Sequence, residues 1–159
     1  MQPTTRLSTF LPYQLSTASN AVSGRIALEY RTRFGLSVPE WRVMAVLGDS
    51  GSLTQRDLTR RTLMDKVAVN RACRVLEERE LAARQPNETD GRSHLLALTE
   101  SGLAMHGQIM PLAKEMERRV FEGFSDAEIA TFRMILERVR HAADDISDND
   151  MADCSFGID

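Results

Sequence analysis

The chain has 159 residues, 42% of them hydrophobic and 27% charged, with a net charge of −3. That is about one domain, with the make-up of a folded soluble protein rather than a disordered one. No apolar run approaches the ~20 residues that span a bilayer, the opening MQPTTRLSTFLPYQL lacks the apolar stretch of an export signal, and two cysteines are too few for a disulfide framework; a cytoplasmic protein is expected.

The charge is unevenly divided. Residues 54–92 hold nine Lys and Arg against seven Asp and Glu, a local +2, and the remainder carries −5. Phosphate binding depends on local cation density, so this division permits a nucleic-acid partner, although solvated helix faces would give the same count.

In chain order, a first helix is expected from Leu11 to Phe34, with Leu11, Leu15, Ala18, Val22 and Ile26 at helical spacing and Gly35 as its stop. Ser37-Val-Pro-Glu40 is a capping box with proline in the first turn, opening a helix over 39–47 that Asp49-Ser-Gly51 breaks. Thr54-Gln-Arg-Asp57 caps a short helix to Arg61. After Thr62-Leu-Met, Asp65 caps a helix running to Glu80. The period then changes: 81–85 reads as a strand, 86–91 as a turn-rich loop and 93–98 as a returning strand. Thr99 starts a long helix through Phe121 that Pro111 is expected to kink or split. Ser125-Asp-Ala-Glu128 opens a last helix to Ala143, with Ile129, Phe132, Leu136 and Val139 on one stripe. Residues 144–159 hold six Asp and no basic residue, and read as a disordered acidic tail.

Helix, tight turn, helix and β-hairpin, in that order, predict a mainly α protein with a small β-hairpin wing, a winged helix-turn-helix spanning 37–98. The end helices, 11–34 and 99–143, are long for so small a core and striped with apolar residues. Pairing of two chains through them would bury the stripes and set two reading helices about one DNA turn apart; an intramolecular cap on a monomer is the alternative.

On the helix after Asp65, Val69, Cys73 and Leu76 form the inward stripe. The outward face then offers Lys66, Val67, Ala68, Asn70, Arg71 and Arg74. Asn bonds adenine by two contacts, Arg bonds guanine or phosphate, and Val or Ala packs on thymine methyls. In the hairpin loop, Asp90-Gly91-Arg92 places an Arg where a narrow minor groove would attract it, with Gly91 tolerating positive φ and Asp90 orienting Arg92 by a charge-assisted bond. A plain polar turn is the alternative for the tripeptide alone.

These elements resemble the MarR family, the multiple-antibiotic-resistance-type transcriptional regulators. The matching stretches are Pro39-Glu-Trp-Arg-Val-Met44, Leu53-Thr-Gln-Arg-Asp-Leu58, Met64-Asp-Lys66, Val69-Asn-Arg71 and Leu76-Glu-Glu-Arg79, then Leu81, Pro86, Asp90-Gly-Arg92 and Leu98-Thr-Glu-Ser-Gly102. The resemblance implies a single domain over 1–159, a homodimer built from the terminal helices, double-stranded DNA as partner, a pseudo-palindromic operator and repression. It also implies release by a small, often aromatic or phenolic molecule bound between the dimer region and the DNA-reading lobe. Three positions depart from the family pattern: Val67 and Ala68 replace small hydroxyl residues, Glu80 replaces a Gly after the reading helix, and Ser93 replaces a second basic residue.

An effector pocket is expected around Asn20 and Trp41, with Arg25 or Arg42 meeting an acid group, although for Trp41 taken alone core packing is the favoured reading. A redox-responsive regulator of the same fold would need a low-pKa cysteine. Cys73 lies on the inward stripe and Cys154 in the acidic tail, neither a setting for one. His94, His106 and His141 form no ligand-spaced cluster, so neither metal nor cofactor is expected. No nucleophile elbow, P-loop, HExxH or dinucleotide fingerprint occurs, and no enzyme is expected. A protein-interaction module on a winged helix remains the rival, though it has no need of a cationic reading face and a basic wing tip.

Overall fold

The computed structural model describes residues 6–146. They form two compact units with the boundary between Glu117 and Arg118. In the first, a 3-10 turn (Leu7–Thr9) precedes α1 (Leu11–Phe34), α2 (Val38–Ser50), β1 (Leu53–Thr54), α3 (Gln55–Thr62), α4 (Lys66–Glu78), β2 (Ala82–Pro86) and β3 (His94–Leu98). Helix α5 (Glu100–Val120) crosses the boundary and α6 (Asp126–Asp145) lies in the second unit. The fold is mainly helical with one small antiparallel sheet, the winged helix architecture expected.

Local chemistry sets most helix starts. The Ser37 backbone N–H donates to Glu40 Oε2 at 2.9 Å. The Thr54 hydroxyl accepts from the Asp57 backbone N–H at 3.1 Å and donates to Asp57 Oδ2 at 2.7 Å. Asp57 is one methylene shorter than the usual Glu of a capping box, and here it takes the cap hydroxyl. Arg60 pairs with the same carboxylate at 3.0 Å. Asp65 accepts from the Ala68 N–H at 2.8 Å. The box at Ser125 and Glu128 is complete in both directions.

Several boundaries differ from expectation. Helix α2 continues through Asp49 and Ser50 and stops only at Gly51, whose φ of 76° is left-handed. Helix α6 runs to Asp145, so Asp144 and Asp145 are helical and not tail, while 147–159 lies outside the described residues. Helix α5 is not split at Pro111. The carbonyl four residues before that proline belongs to exposed Gly107, where water can replace the lost donor. Strand β1 was not expected: its two residues exist only through pairing of Leu53 with Leu96 and Thr54 with Leu95.

Helix α4 ends at Glu78, two residues early, and the ending is a Schellman motif. The Leu81 N–H reaches the Leu76 carbonyl at 2.8 Å and the Glu80 N–H reaches Glu77 at 2.9 Å. Glu80 occupies the left-handed position, with φ of 56°, that glycine usually fills. A side chain there carries a steric cost of about 1 kcal/mol. Glu80→Gly is therefore expected to stabilise the chain by roughly that amount, less glycine's added freedom when unfolded. Urea titration checks it, by a higher midpoint at unchanged slope.

The sheet order is β1-β3-β2, with Ala82 opposite Leu98 and Pro86 opposite His94. The core gathers Leu36, Val43, Met44, Leu47, Leu58, Val69, Leu76 and Leu96 around Tyr30. Tyr30 meets the rings of Phe34 and Trp41 edge-on, at 6.5 and 5.1 Å. Arg79, just past α4, donates to the carbonyls of Phe34 (2.9 Å) and Gly35 (3.0 Å), which closes the end of α1 with a cation. No described helix is long and apolar enough to cross a membrane.

Candidate nucleic-acid interface

Helix α4 turns Val69, Ala72, Cys73 and Leu76 inward, all buried. Lys66, Val67, Asn70, Arg71 and Arg74 are exposed on its other faces, and Ala68 is half-buried beside its cap bond to Asp65. Val67 keeps 66% of its surface in water, a large apolar side chain with nothing covering it. Arg74 pairs with Glu78 at 3.4 Å, one turn along the same helix. Lys66 and Arg71 make no ion pair among the described residues.

The wing loop is built from side-chain bonds rather than a glycine turn. Asn87 Nδ2 donates to Ser93 Oγ at 2.8 Å, and the Thr89 hydroxyl and N–H both reach Asn87 Oδ1. Ser93 thus braces the loop where a second basic residue was the family pattern. Asp90 accepts from the backbone N–H of Arg92 at 3.0 Å. The expected orienting bond therefore goes to the Arg92 main chain, and the exposed guanidinium makes no bond among the described residues. Gly91 does not have positive φ. Its expected conformational role is corrected: the Asn87 and Asp90 bonds shape the turn, and a Cβ on Gly91 would meet nothing within 4 Å.

Between α3 and the wing lies a cleft of about 670 Å³ whose lining includes Gln55, Arg56, Arg60, Arg84 and Arg92, with Asp57 and Asp90. Arg84 on β2 donates to Glu77 of α4 at 2.7 Å and so ties the wing to that helix. Gln55 Nε2 donates to Asn70 Oδ1, tying α3 to α4. The sequence reading missed Gln55, Arg56 and Arg84 as part of this surface. Opposite charge on Glu77 and Arg84 was visible, but nothing local placed the two side by side.

Cys73 lies on the floor of this cleft and is 2% exposed. Burial, with Glu77 nearby and only partly offset by Arg84, pushes its thiol up to about 11. The reactive thiolate is thus scarce at neutral pH, the opposite of a redox sensor. In a Cys154→Ser variant, a thiol reagent at pH 8 is expected to leave the folded chain unmodified. One thiol should titrate once the chain is unfolded in urea.

The residues expected at an effector pocket lie on α1 (Asn20, Arg25) and α2 (Trp41, Arg42). Trp41 is half-buried against Tyr30, and its Nε1 is the only buried side-chain polar atom without a partner among the described residues. Arg42 is half-buried beside it in α2, and Asn20 is exposed on α1. Arg25 pairs with Glu29 on its own helix at 2.9 Å. None of the four lines the cleft below the wing. In the second unit, an apolar groove of about 450 Å³ is lined by Phe121, Phe124, Ile129, Phe132 and Ile135.

Comparison with known proteins agrees with this geometry. The MarR family model matches residues 34–93. The HTH-type transcriptional repressor IacR of Pseudomonas putida is 25% identical over 109 residues, 69% of this chain and 65% of its own length. The chain thus aligns with slightly under two thirds of that relative. Among solved structures, a MarR/EmrR family transcriptional regulator from Acinetobacter sp. ADP1 superposes with a TM-score of 0.83 at 24% identity, over 89% of this chain and 99% of the other. A MarR family transcriptional regulator from Silicibacter pomeroyi DSS-3 superposes at 0.75 with 27% identity, over 87% and 98%. With its winged lobe matched by the MarR family model at 34–93 and its fold shared along most of its length with a MarR family regulator, this chain is similar to the MarR-family regulators.

Proposed function

We propose that this protein is a sequence-specific repressor that binds a pseudo-palindromic operator as a cytoplasmic homodimer and leaves it when a small aromatic or phenolic ligand binds. One observation carries the reading: α4 exposes Lys66, Asn70, Arg71 and Arg74 beside a wing whose Arg92 guanidinium makes no bond among the described residues. A cationic, amide-bearing helix beside a free Arg suits major-groove reading plus a backbone or minor-groove contact. A docking module for proteins would not need that combination.

The dimer is supported by apolar surface left in water. Leu11, Leu15 and Val22 on α1 are exposed, and so are Phe132, Leu136 and Val139 on α6. A second copy is the simplest cover for such stripes. The effector is supported by Trp41, whose buried N–H lacks an acceptor among the described residues. A ligand carboxylate or carbonyl would supply one, with Arg42, Asn20 or Arg25 as further polar contacts.

Selection of bound duplexes from a random pool tests the reading, together with the mass of the protein in solution. Two inverted half-sites centred about one helical turn apart, and a mass of two chains, are expected. A protein that stayed single and retained no duplex at low salt would overturn it. Thermal shift against phenolic and aromatic acids, repeated with Trp41→Phe, tests the effector.

A further inference from the structure

We propose that Val67 is a specificity-determining residue: it reads the C5-methyl group of a pyrimidine in the major groove, so that one position in each half-site takes thymine over uracil and 5-methylcytosine over cytosine. The proposal rests on the DNA-reading role above and deepens it by naming the base group that is read.

Successive residues of an α-helix are turned by about 100°. Val69, Ala72, Cys73 and Leu76 are buried and fix the inward side of α4. Counted from them, Val67 stands opposite the middle of that side, with Arg71 and Arg74 one and two turns further along the same outward face. A docking that brings either Arg to a duplex therefore brings Val67 to it as well. Valine is β-branched and a weaker helix former than most residues, so helix stability does not account for it on a solvated face. Lys66, Arg71 and Arg74 flank it, a charge pattern that suits a polyanion rather than an apolar protein surface. The Val67 side chain has no donor or acceptor. Against an adenine or cytosine amino group it would displace water from a donor and offer nothing in return. The C5-methyl of thymine is the one apolar group that the natural base pairs present on their major-groove edge. Taking one such carbon out of water against the Val67 methyls is worth about fourfold in affinity. 5-Methylcytosine carries the same methyl on the same ring carbon, whereas uracil and cytosine leave Val67 facing a gap.

Selection from a random duplex pool, with the full chain and with Val67→Ala, locates the position that is read, as the one in each half-site whose thymine preference flattens. Alanine is the better helix former, so the variant keeps its fold. Four duplexes are then compared, with thymine, uracil, 5-methylcytosine or cytosine at that position and the matching purine opposite. The unmodified protein should bind thymine about fourfold more tightly than uracil, and 5-methylcytosine about fourfold more tightly than cytosine. In Val67→Ala both ratios should fall to near one. Dividing the ratios of the two proteins cancels whatever the methyl does to the duplex alone. Leu63→Ala is the control. It shortens another exposed apolar side chain, two positions before the cap of α4, and should leave both ratios as they were. Three results would each overturn the proposal while leaving the DNA-reading role standing: no position flattened by Val67→Ala, thymine and uracil bound equally by the unmodified protein, or ratios that survive Val67→Ala and vanish in Leu63→Ala. If the unmodified protein selects no duplex, that role fails first, and the proposal with it.

Discussion

Gly102→Ala is expected to cost about 3 kcal/mol of stability and to lower the melting temperature by about 10 °C. Gly102 is buried in the first turn of α5, and its N–H donates to the Thr99 hydroxyl at 3.1 Å. A Cβ built there would stand 1.9 Å from the Leu81 carbonyl oxygen and 2.9 Å from its carbon. Both are main-chain atoms, so no rotamer change relieves the clash. The same carbonyl accepts the Thr99 N–H at 3.1 Å, and the Thr99 hydroxyl reaches Glu80 O at 2.6 Å. Moving it therefore disturbs the joint where α4 ends, β2 begins and α5 starts. Gly107→Ala is the control. It lies exposed on the same helix, a Cβ there meets nothing within 4 Å, and it should raise stability by about 0.5–1 kcal/mol. Scanning calorimetry of the two variants decides: equal effects would mean that the close approach at Leu81 is not what Gly102 is for.

Arg92→Ala is expected to weaken operator binding roughly tenfold to a hundredfold, about equally across sequences. The guanidinium is exposed and makes no hydrogen bond or ion pair among the described residues, so removing it breaks none of theirs. A phosphate or minor-groove contact adds affinity with little base information, and losing it should flatten the salt dependence by about one unit of slope per wing. A dimer carries two wings, so log affinity against log salt should lose about two units. Asn70→Ala behaves differently: it relaxes preference at one position per half-site and leaves the salt slope nearly unchanged. Binding isotherms at four salt concentrations separate the two. An Arg92→Ala protein with unchanged affinity and slope would remove the wing from the interface.

What could be read from the sequence divides by distance along the chain. The caps at Thr54, Asp65 and Ser125 were legible because each bond spans three residues. The inward face of α4 was legible because a helix repeats regularly. Strand β1 was not, since two residues become a strand only by meeting Leu95 and Leu96 some forty positions later. Glu80 was marked as a departure, but its left-handed geometry follows from Leu81 entering the core, a tertiary demand. Gly91 misled for the opposite reason. Its residue type suggested a strained turn, whereas Asn87 and Asp90 shape that loop by side-chain bonds. At the candidate site, the outward residues of α4 were visible individually. The Gln55–Asn70 and Glu77–Arg84 pairs were not, because both depend on how α3 and the wing pack against α4.

The two bonds from Arg79 to the end of α1 give α4 a fixed heel. Thirteen residues of helix extend about 20 Å from that anchorage to Lys66. A pivot of only ten degrees at the heel swings the toe by about 3.5 Å, close to the stacking interval between neighbouring bases. The leverage is greatest where Lys66 and Asn70 stand and least at Glu78, so a small tilt would shift register at the tip while the trailing turn barely moved.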